Sequence, residues 1–320
     1  MTTDTKTRLP LKQAGTGKGL SSRVYSMLKS IPTWILWTLV VFWTIPTFGL
    51  FVNSFRTRNA QRASGWWNIE LSELTIDNYV DVLTQSAQGG LWRSLLNSLA
   101  IALPATVIPI AIAAFAAYAF AWIDFKGREW LFIATVSLLA IPAQMSLIPL
   151  LQLYSSGGHW TIPFIDKTIT LFPDLSLSGR AVSVWLTHTG FALPFAIFLL
   201  HNYISQLPKS IFESAYIDGA DHFKIFWRLV LPLSVPVLAA FAIFQFLWTY
   251  NDYLIAVTML GGVGENFPAT ARIASIAGDF GQTEHLLTAG AFLSIVLPVG
   301  VFFALQRYFV TGILAGSVKG

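Results

Sequence analysis

The 320 residues include no cysteine and few charges, with Asp, Glu, Lys and Arg making up 11% of the chain, against about a quarter in an ordinary soluble domain. The first absence excludes disulfides and thiolate metal sites. The second is hard to reconcile with water as the main solvent, because 54% of the residues are hydrophobic and 25 Phe and 12 Trp are among them. His159, His188, His201, His222 and His285 show no metal-ligand spacing, and no nucleophile stands with a base. GTGKG at 15–19 fails as a phosphate loop, which needs a glycine at Lys12 and a hydroxyl at Gly19. Catalysis by this chain alone, a metal site and a cofactor are therefore not expected. The net charge of +4 gives no reason to expect nucleic acid as a partner.

What is present is a set of long apolar runs, near Thr33–Val52, Leu95–Trp122, Leu131–Leu153, Val182–Tyr203, Leu233–Gly261 and Leu286–Phe309. Each can supply the roughly 20 helical residues that cross a hydrocarbon core. Alternation with period two is absent from them, which argues against a β-barrel. The expected fold is all-α and integral to a membrane, with six transmembrane helices.

With the amino terminus in the cytosol, 13 of the 20 Lys and Arg fall on that side, so the positive-inside rule puts both termini there. Arg56, Arg58 and Arg62, just after the first run, go against the trend. Residues 1–32 are expected to form a basic cytosolic tail, mobile at least in its first half. No cleavable signal peptide is expected, since the first apolar run starts late and is too long for a signal core. The loop after the first span should carry a short amphipathic helix with Tyr79, Val80 and Leu83 on one side. Trp66 and Trp67 suit an aromatic belt at the membrane interface or stacking on a sugar or a partner. Prolines at 104, 109, 142, 149, 194 and 298 lie within spans, and the carbonyls they free need partners inside the bundle.

Polar groups within apolar runs are costly and must face protein or water. Asp252, beside Asn251, and Gln245 are candidates for a passage that offers donors and acceptors to a polyhydroxylated solute. The alternative for each is an interhelical hydrogen bond that fixes packing, and both readings stand. Gln144, His188 and Asn97 carry the same ambiguity, with packing favoured.

One charged, glycine-broken stretch interrupts the apolar pattern: ESAYIDGADHFKIFWRLVLPLSVP, residues 213–236. Ser210 and Glu213 have the S-x-x-E spacing of a capping box, so a helix is expected from Ser210 to Gly219, where glycine can adopt the left-handed conformation. Asp221 can cap a second helix running to Leu231-Pro232. The outcome is a rigid elbow between the fourth and fifth spans, on the cytosolic side.

Glu213-Ser214-Ala215, Asp218-Gly219-Ala220 and Leu231-Pro232 resemble the E-A-A…D-G-A…L-P signature of ATP-binding-cassette importer permeases, with Ser214 in place of the second alanine. The spacing to Leu231-Pro232 and the ending QRYFVTGILAGSVKG are similar to the carbohydrate-importing branch, in the class of the maltose permease and closest to α-glucoside permeases. The resemblance covers nearly the whole chain, most firmly Leu95 to Gly320. It implies the type-I importer permease fold in a bacterial inner membrane, with residues 33–92 as first helix and extracytosolic loop, 93–309 as the permease domain and 310–320 as a cytosolic tail.

The same resemblance implies that the helix at 210–219 is a coupling helix seated on a cytosolic ATPase subunit. Glu213 would then face a basic residue there, rather than only cap its own helix. Gly312, Gly316 and Lys319 would also reach the ATPases. The implied partners are a second permease subunit, two cytosolic ATP-binding subunits, an extracytosolic solute-binding protein, the lipid bilayer and a sugar. The loop Gly262–His285, with glycines at 262, 264, 278 and 281, is expected to reach flexibly to the binding protein. The rival reading is an ion-coupled secondary sugar transporter, for which a lone intramembrane Asp252 is thin support. A membrane-bound transferase would need a catalytic cluster at the membrane surface, and none is found.

Overall fold

The computed structural model describes residues 32–84, 90–164, 166–261, 266–277 and 283–317, with side chains up to Arg307. The GTGKG motif and Lys319 lie outside the described residues, as do the side chains of the terminal tail. The chain divides into two units, Met1–Leu50 and Phe51–Gly320. The first holds most of helix α1 (Thr33–Ser54), which is apolar on all sides. The hydroxyls of Thr38 and Thr44 donate to the carbonyls of Trp34 and Val40 at 2.9 and 2.7 Å. Polar atoms in a lipid-facing helix must be satisfied in this way, from within.

The second unit continues with α2 (Arg58–Ala63), α3 (Asp77–Thr84), α4 (Gly90–Trp122), α5 (Arg128–Ala140) and α6 (Ala143–Ser156). A hairpin of β1 (Gly158–Ile162) and β2 (Lys167–Phe172) follows, then α7 (Ala181–Ile204), α8 (Lys209–Ile217), α9 (His222–Leu233), α10 (Val235–Asn251), α11 (Leu254–Leu260), α12 (Ala269–Ile276) and α13 (Glu284–Ser317). Among the described residues α1, α4, α7 and α13 are long and apolar enough to cross a membrane, and the pairs α5–α6 and α9–α10 can each form one bent span.

The expected third span is broken, since α5 and α6 meet at 101°. Ile141 is extended there, with ψ 118°, because the ring of Pro142 disfavours a helical residue before it. The fifth run is likewise divided, by Asp252-Tyr253 between α10 and α11. The antiparallel hairpin β1–β2 is a departure from an all-helical chain. Its residues are exposed or half-buried throughout, so it has no apolar face to announce it in sequence.

Two observations explain what holds the second unit together. Helix α4 lies along α7, and α10 packs against both α4 and α13. These contacts are tied by hydrogen bonds to carbonyls that prolines release. A proline has no N–H for the carbonyl four residues back, so Pro104, Pro109 and Pro298 free those of Ala100, Ala105 and Ser294. Trp185 Nε1 donates to Ala100 at 3.0 Å, Gln245 Nε2 to Ala105 at 3.1 Å, and the Tyr250 hydroxyl to Ser294 at 3.0 Å. In each case the donor comes from another helix, so the defect in one helix becomes a link between two.

The segment after α1 accounts for one of the three arginines that go against the charge trend, while Arg58 and Arg62 are exposed. Arg56 is only 1% exposed, and its guanidinium donates to the carbonyls of Ala60 and Ser64 and to Ser64 Oγ. It is a structural cation, so its position says little about sidedness. The buried positions of α3 are Asn78 and Val82, whereas Val80, expected on the packed side, is exposed. Asn78 takes the inward position because its amide donates to the carbonyls of Ser54 and Arg56, both at 2.9 Å.

Candidate functional site

Helix α8 starts one residue earlier than the capping-box spacing predicts. Its N-cap is Pro208, with no side-chain cap bond, so Ser210 sits inside the first turn and cannot close a box with Glu213. Pro208 has φ −59° and ψ 126°, so the backbone turns helical at Lys209 and leaves Ser210 one residue inside the helix. The Glu213 carboxylate is exposed and has no partner among the described residues. Asp218, also exposed, is in the same condition.

The other end of α8 is fixed by backbone alone. Gly219 has φ +74°; its N–H bonds the Tyr216 carbonyl at 3.0 Å, and the Ala220 N–H bonds that of Ala215 at 2.9 Å. This pair of bonds is a Schellman motif, with glycine at the left-handed position. Ala215 and Ala220, the residues the motif brings together, both pack on the main apolar cluster. The D-G-A signature is thus a helix stop, and it sets Ala215 and Ala220 against that cluster. Asp221 caps α9 as expected, accepting the Lys224 N–H at 2.8 Å.

The elbow is braced on the long helices. Phe212 is buried and stacks on Trp122 at the end of α4, with ring centroids 3.6 Å apart and planes 17° from parallel. Trp122 is itself held by donation to the Ile204 carbonyl at 3.1 Å. His222 Nδ1 lies 2.9 Å from the hydroxyl of Tyr118 on α4 and 3.4 Å from that of Tyr216 on α8. Residues Phe226–Val230 of α9 form a π-turn, in which the Leu231 N–H reaches the Phe226 carbonyl. Widening the helix makes room for Pro232, whose ring would clash with a carbonyl in a regular α-turn. Leu231 packs on the apolar cluster, while Pro232 is exposed. Around the free carboxylates the elbow exposes Ile217 (86%) and Phe223 (67%), an uncommon pairing of apolar and acidic surface.

The remaining predicted residues separate. Gln245, expected on a passage, is 2% exposed and donates to Ala105 and to Thr249 Oγ1, so its amide serves packing. Asn97 also packs, donating to the Phe267 carbonyl at 3.1 Å. Asn251 and Asp252 line an open groove of about 710 Å3 together with Trp248 and Tyr253. Asp252 Oδ2 accepts the N–H groups of Ile255 and Ala256 at 2.9 and 3.1 Å, which caps α11. His188 Nε2 approaches the same oxygen at 3.7 Å.

The segment 262–285 is less free than its glycines imply. Its middle is α12, where Ala269 N–H donates to Ser98 Oγ at 2.8 Å and Thr270 Oγ1 to the Asp252 carbonyl at 2.9 Å. The glycines at 262, 264, 278 and 281 lie outside the described residues. Sequence reading missed Phe212, Trp122, Tyr118 and Trp248. Trp122, Tyr118 and Trp248 are aromatics within apolar runs and Phe212 is an apolar residue of the elbow, and in neither setting does the local pattern separate a brace from general core.

Residues 110–314 match the model of the binding-protein-dependent transport system inner membrane component family. The chain is 49% identical over 287 residues to an osmoprotective compounds uptake permease protein of a Synechocystis species, covering 88% of this chain and 89% of the relative. It is 52% identical over 247 residues to an alpha-glucoside transport system permease protein of Rhizobium meliloti, covering 77% of this chain and 60% of the relative. A bacterial transporter of the ATP-binding-cassette type, involved in import of the acidic polysaccharide alginate, has a chain of similar fold. The TM-score is 0.71 at 20% identity, over 91% of this chain and 98% of that one.

Proposed function

Since the chain belongs to the family of inner membrane components of binding-protein-dependent transport systems, we propose that it is one of two permease subunits forming the passage of a sugar importer driven by cytosolic ATPases. The family places it in a membrane as a transport subunit, and no match supports the ion-coupled alternative. The cargo class we assign is an α-glucoside or a related neutral sugar, in keeping with the alpha-glucoside permease of Rhizobium meliloti that the chain resembles. Both termini and the elbow α8–α9 are then cytosolic, and an extracytosolic binding protein delivers the sugar.

The observation that carries the coupling role is the state of Glu213. Its carboxylate caps nothing, has no partner among the described residues, and stands on a helix braced against α4 through Phe212 and Trp122. A charge left free on a rigid lever suits a basic partner, because a charge-assisted bond is about twice as strong as a neutral one. Force applied at α8 would pass through Phe212–Trp122 and His222–Tyr118 into α4. In this reading Glu213, Ser214, Ala215, Asp218, Gly219, Ala220, Leu231 and Pro232 form the coupling segment. Glu213, Ser214 and Asp218 meet the ATPase, and the others set the shape of the elbow. ATP chemistry belongs to the partner subunits. The loop holding α12 meets the binding protein on the other side, presenting a packed helix between its glycines.

The test is uptake of radiolabelled maltose, sucrose and trehalose by the assembled importer, with an active or a hydrolysis-dead ATPase partner. Uptake that requires the active partner supports the assignment. Uptake that persists with the dead partner and follows a proton or sodium gradient overturns it.

A further inference from the structure

We propose that the outer face of α9, carrying Phe223, Lys224, Trp227 and Arg228, is a binding surface for anionic phospholipid of the cytosolic leaflet; the proposal rests on the reading of the elbow as cytosolic. These four side chains are exposed, whereas Ile225, Phe226 and Val230 on the other side of the helix are buried in the main apolar cluster. The outer face thus pairs an aromatic with a cation, and repeats the pair one turn later. Neither the Lys224 ammonium nor the Arg228 guanidinium has a partner among the described residues. Asp221, at the N-cap of the same helix, is committed to the Lys224 N–H.

Two features set this face at the membrane surface. Helix α10 has 17 residues, a rise of about 25 Å, which takes up most of a hydrocarbon core. Helix α9 meets it at 70°, so it leaves the span near the interface and runs along the surface rather than through the bilayer. Depth is marked by aromatic contacts. Trp227 meets Phe115 of α4 with ring centroids 6.0 Å apart and planes at 74°, and Phe115 stacks on Phe226 at 4.3 Å. Phe115 lies two helical turns, about 10 Å, inside the end of α4 where Trp122 braces α8. The two helices of the elbow therefore sit at different depths, α8 at the end of α4 and the Trp227 side of α9 nearer the acyl chains. Phe115 is itself 44% exposed, which makes the aromatic surface continuous with the open side of α4.

This combination selects the ligand. Trp and Phe on the apolar side of an interfacial helix settle at the boundary of headgroups and acyl chains. Lys and Arg at that level are drawn to negative lipid. Their long stems stay on apolar surface while the charged ends reach the phosphates. A neutral bilayer would satisfy the rings and leave both cations without partners. An acidic protein surface would satisfy the cations, but it would also have to cover Phe223, 67% exposed, at the edge of the lipid. Anchored in this way, α9 is a pivot between the ATPase contact on α8 and the span α10.

The experiment uses the complete importer, with cysteine-free partner subunits, in proteoliposomes of phosphatidylcholine alone or mixed equally with phosphatidylglycerol. This chain has no cysteine of its own, so Phe223→Cys and Ile217→Cys each give one position for a bimane label. Brominated acyl chains should quench bimane at 223 several-fold more than at 217, which lies on α8 and is 86% exposed. Trp227→Cys takes the place of Phe223→Cys if that variant does not assemble. Phosphatidylglycerol should strengthen the quenching at 223, and the double variant Lys224→Gln, Arg228→Gln should lose that gain. Each cation near an anionic surface is worth about fivefold in association. Wild-type ATP-driven uptake is therefore expected to rise about fivefold or more with phosphatidylglycerol, and the double variant to be insensitive to it. Equal quenching at 217 and 223 overturns the proposal, whether lipid is remote or a partner subunit covers the face. A lipid response that the double variant retains overturns it too, as does quenching indifferent to phosphatidylglycerol. A wild-type importer without uptake in either lipid overturns the permease reading, and the quenching alone then decides this surface.

Discussion

Helical runs in this chain stop at Gly219 and at Asp252 by opposite means. At Gly219 the backbone does all the work: two N–H groups turn back on the helix and a positive φ ends it. The acidic side chains nearby, Glu213 and Asp218, are left free for something outside the chain. At Asp252 a side chain does the work, since one carboxylate oxygen starts the next helix by accepting two N–H groups. A stop made of backbone leaves charge available at full strength, whereas a stop made by a carboxylate divides that group between fold and function. The first arrangement suits a docking lever, and the second a fixed break within a span.

The largest expected effect tests the first half of that contrast. Glu213→Gln should keep insertion and helix content yet lose more than about tenfold of ATP-driven uptake, as a charge-assisted contact becomes neutral. The ATPase subunits should copurify less well. Near-normal uptake would mean that the free carboxylate is idle.

Gly219→Val comes next. A β-branched residue at φ +74° costs about 1–3 kcal/mol of backbone strain, and no atom lies within 4 Å of an added Cβ, so strain rather than crowding at Cβ is the expected cause. Uptake should fall several-fold with the protein still in the membrane, while Gly219→Asn, which tolerates this conformation, should retain most of it. Equal loss in the two variants would contradict a purely conformational stop.

Gln245→Leu should act on stability instead. It leaves the Ala105 carbonyl buried without a donor, at a cost of about 1–3 kcal/mol. The purified protein should lose tertiary structure at a lower temperature, and the uptake ratios between sugars should not move. A shift in those ratios would return Gln245 to the passage.

Smaller still, Asp252→Asn keeps an acceptor for Ile255 and Ala256, so uptake of a neutral sugar should drop less than tenfold. Complete loss with intact assembly would indicate an obligatory charge at the break. The smallest effect belongs to Ser210→Ala, expected within about 0.5 kcal/mol of the parent in stability, since Ser210 caps nothing. If it proves worse than Glu213→Gln, the cap reading stands after all.

Legibility in the sequence follows the range of the interactions. The Asp221 cap and the Gly219 stop connect residues a few positions apart, so spacing alone reveals them. Composition likewise implied a membrane, because lipid imposes its demand on every residue of a span. Ser210 misled because S-x-x-E is common, and Pro208, two residues earlier, was the stronger local determinant. The 101° break at Ile141-Pro142 could be suspected from the proline, but its size could not be known. Gln245 was ambiguous for a different reason. An amide in an apolar run needs a partner, yet that partner is 140 residues away in α4.

By itself, the sequence determined that the chain lives in lipid, where most of its long helices lie, and that residues 210–232 form a glycine-stopped elbow whose second helix is capped by Asp221. These rest on hydrophobicity, on proline and glycine stereochemistry and on short-range hydrogen bonds, all encoded within a few turns of chain. Only the tertiary structure decided which polar groups are consumed and which remain free. Gln245, Tyr250 and Trp185 are drawn to carbonyls released by distant prolines, Arg56 is enclosed by its own loop, and Glu213 and Asn251 are left without partners among the described residues. A hydrogen bond is a matter of meeting within about 3 Å, and which residues meet is set by how helices far apart in sequence pack together.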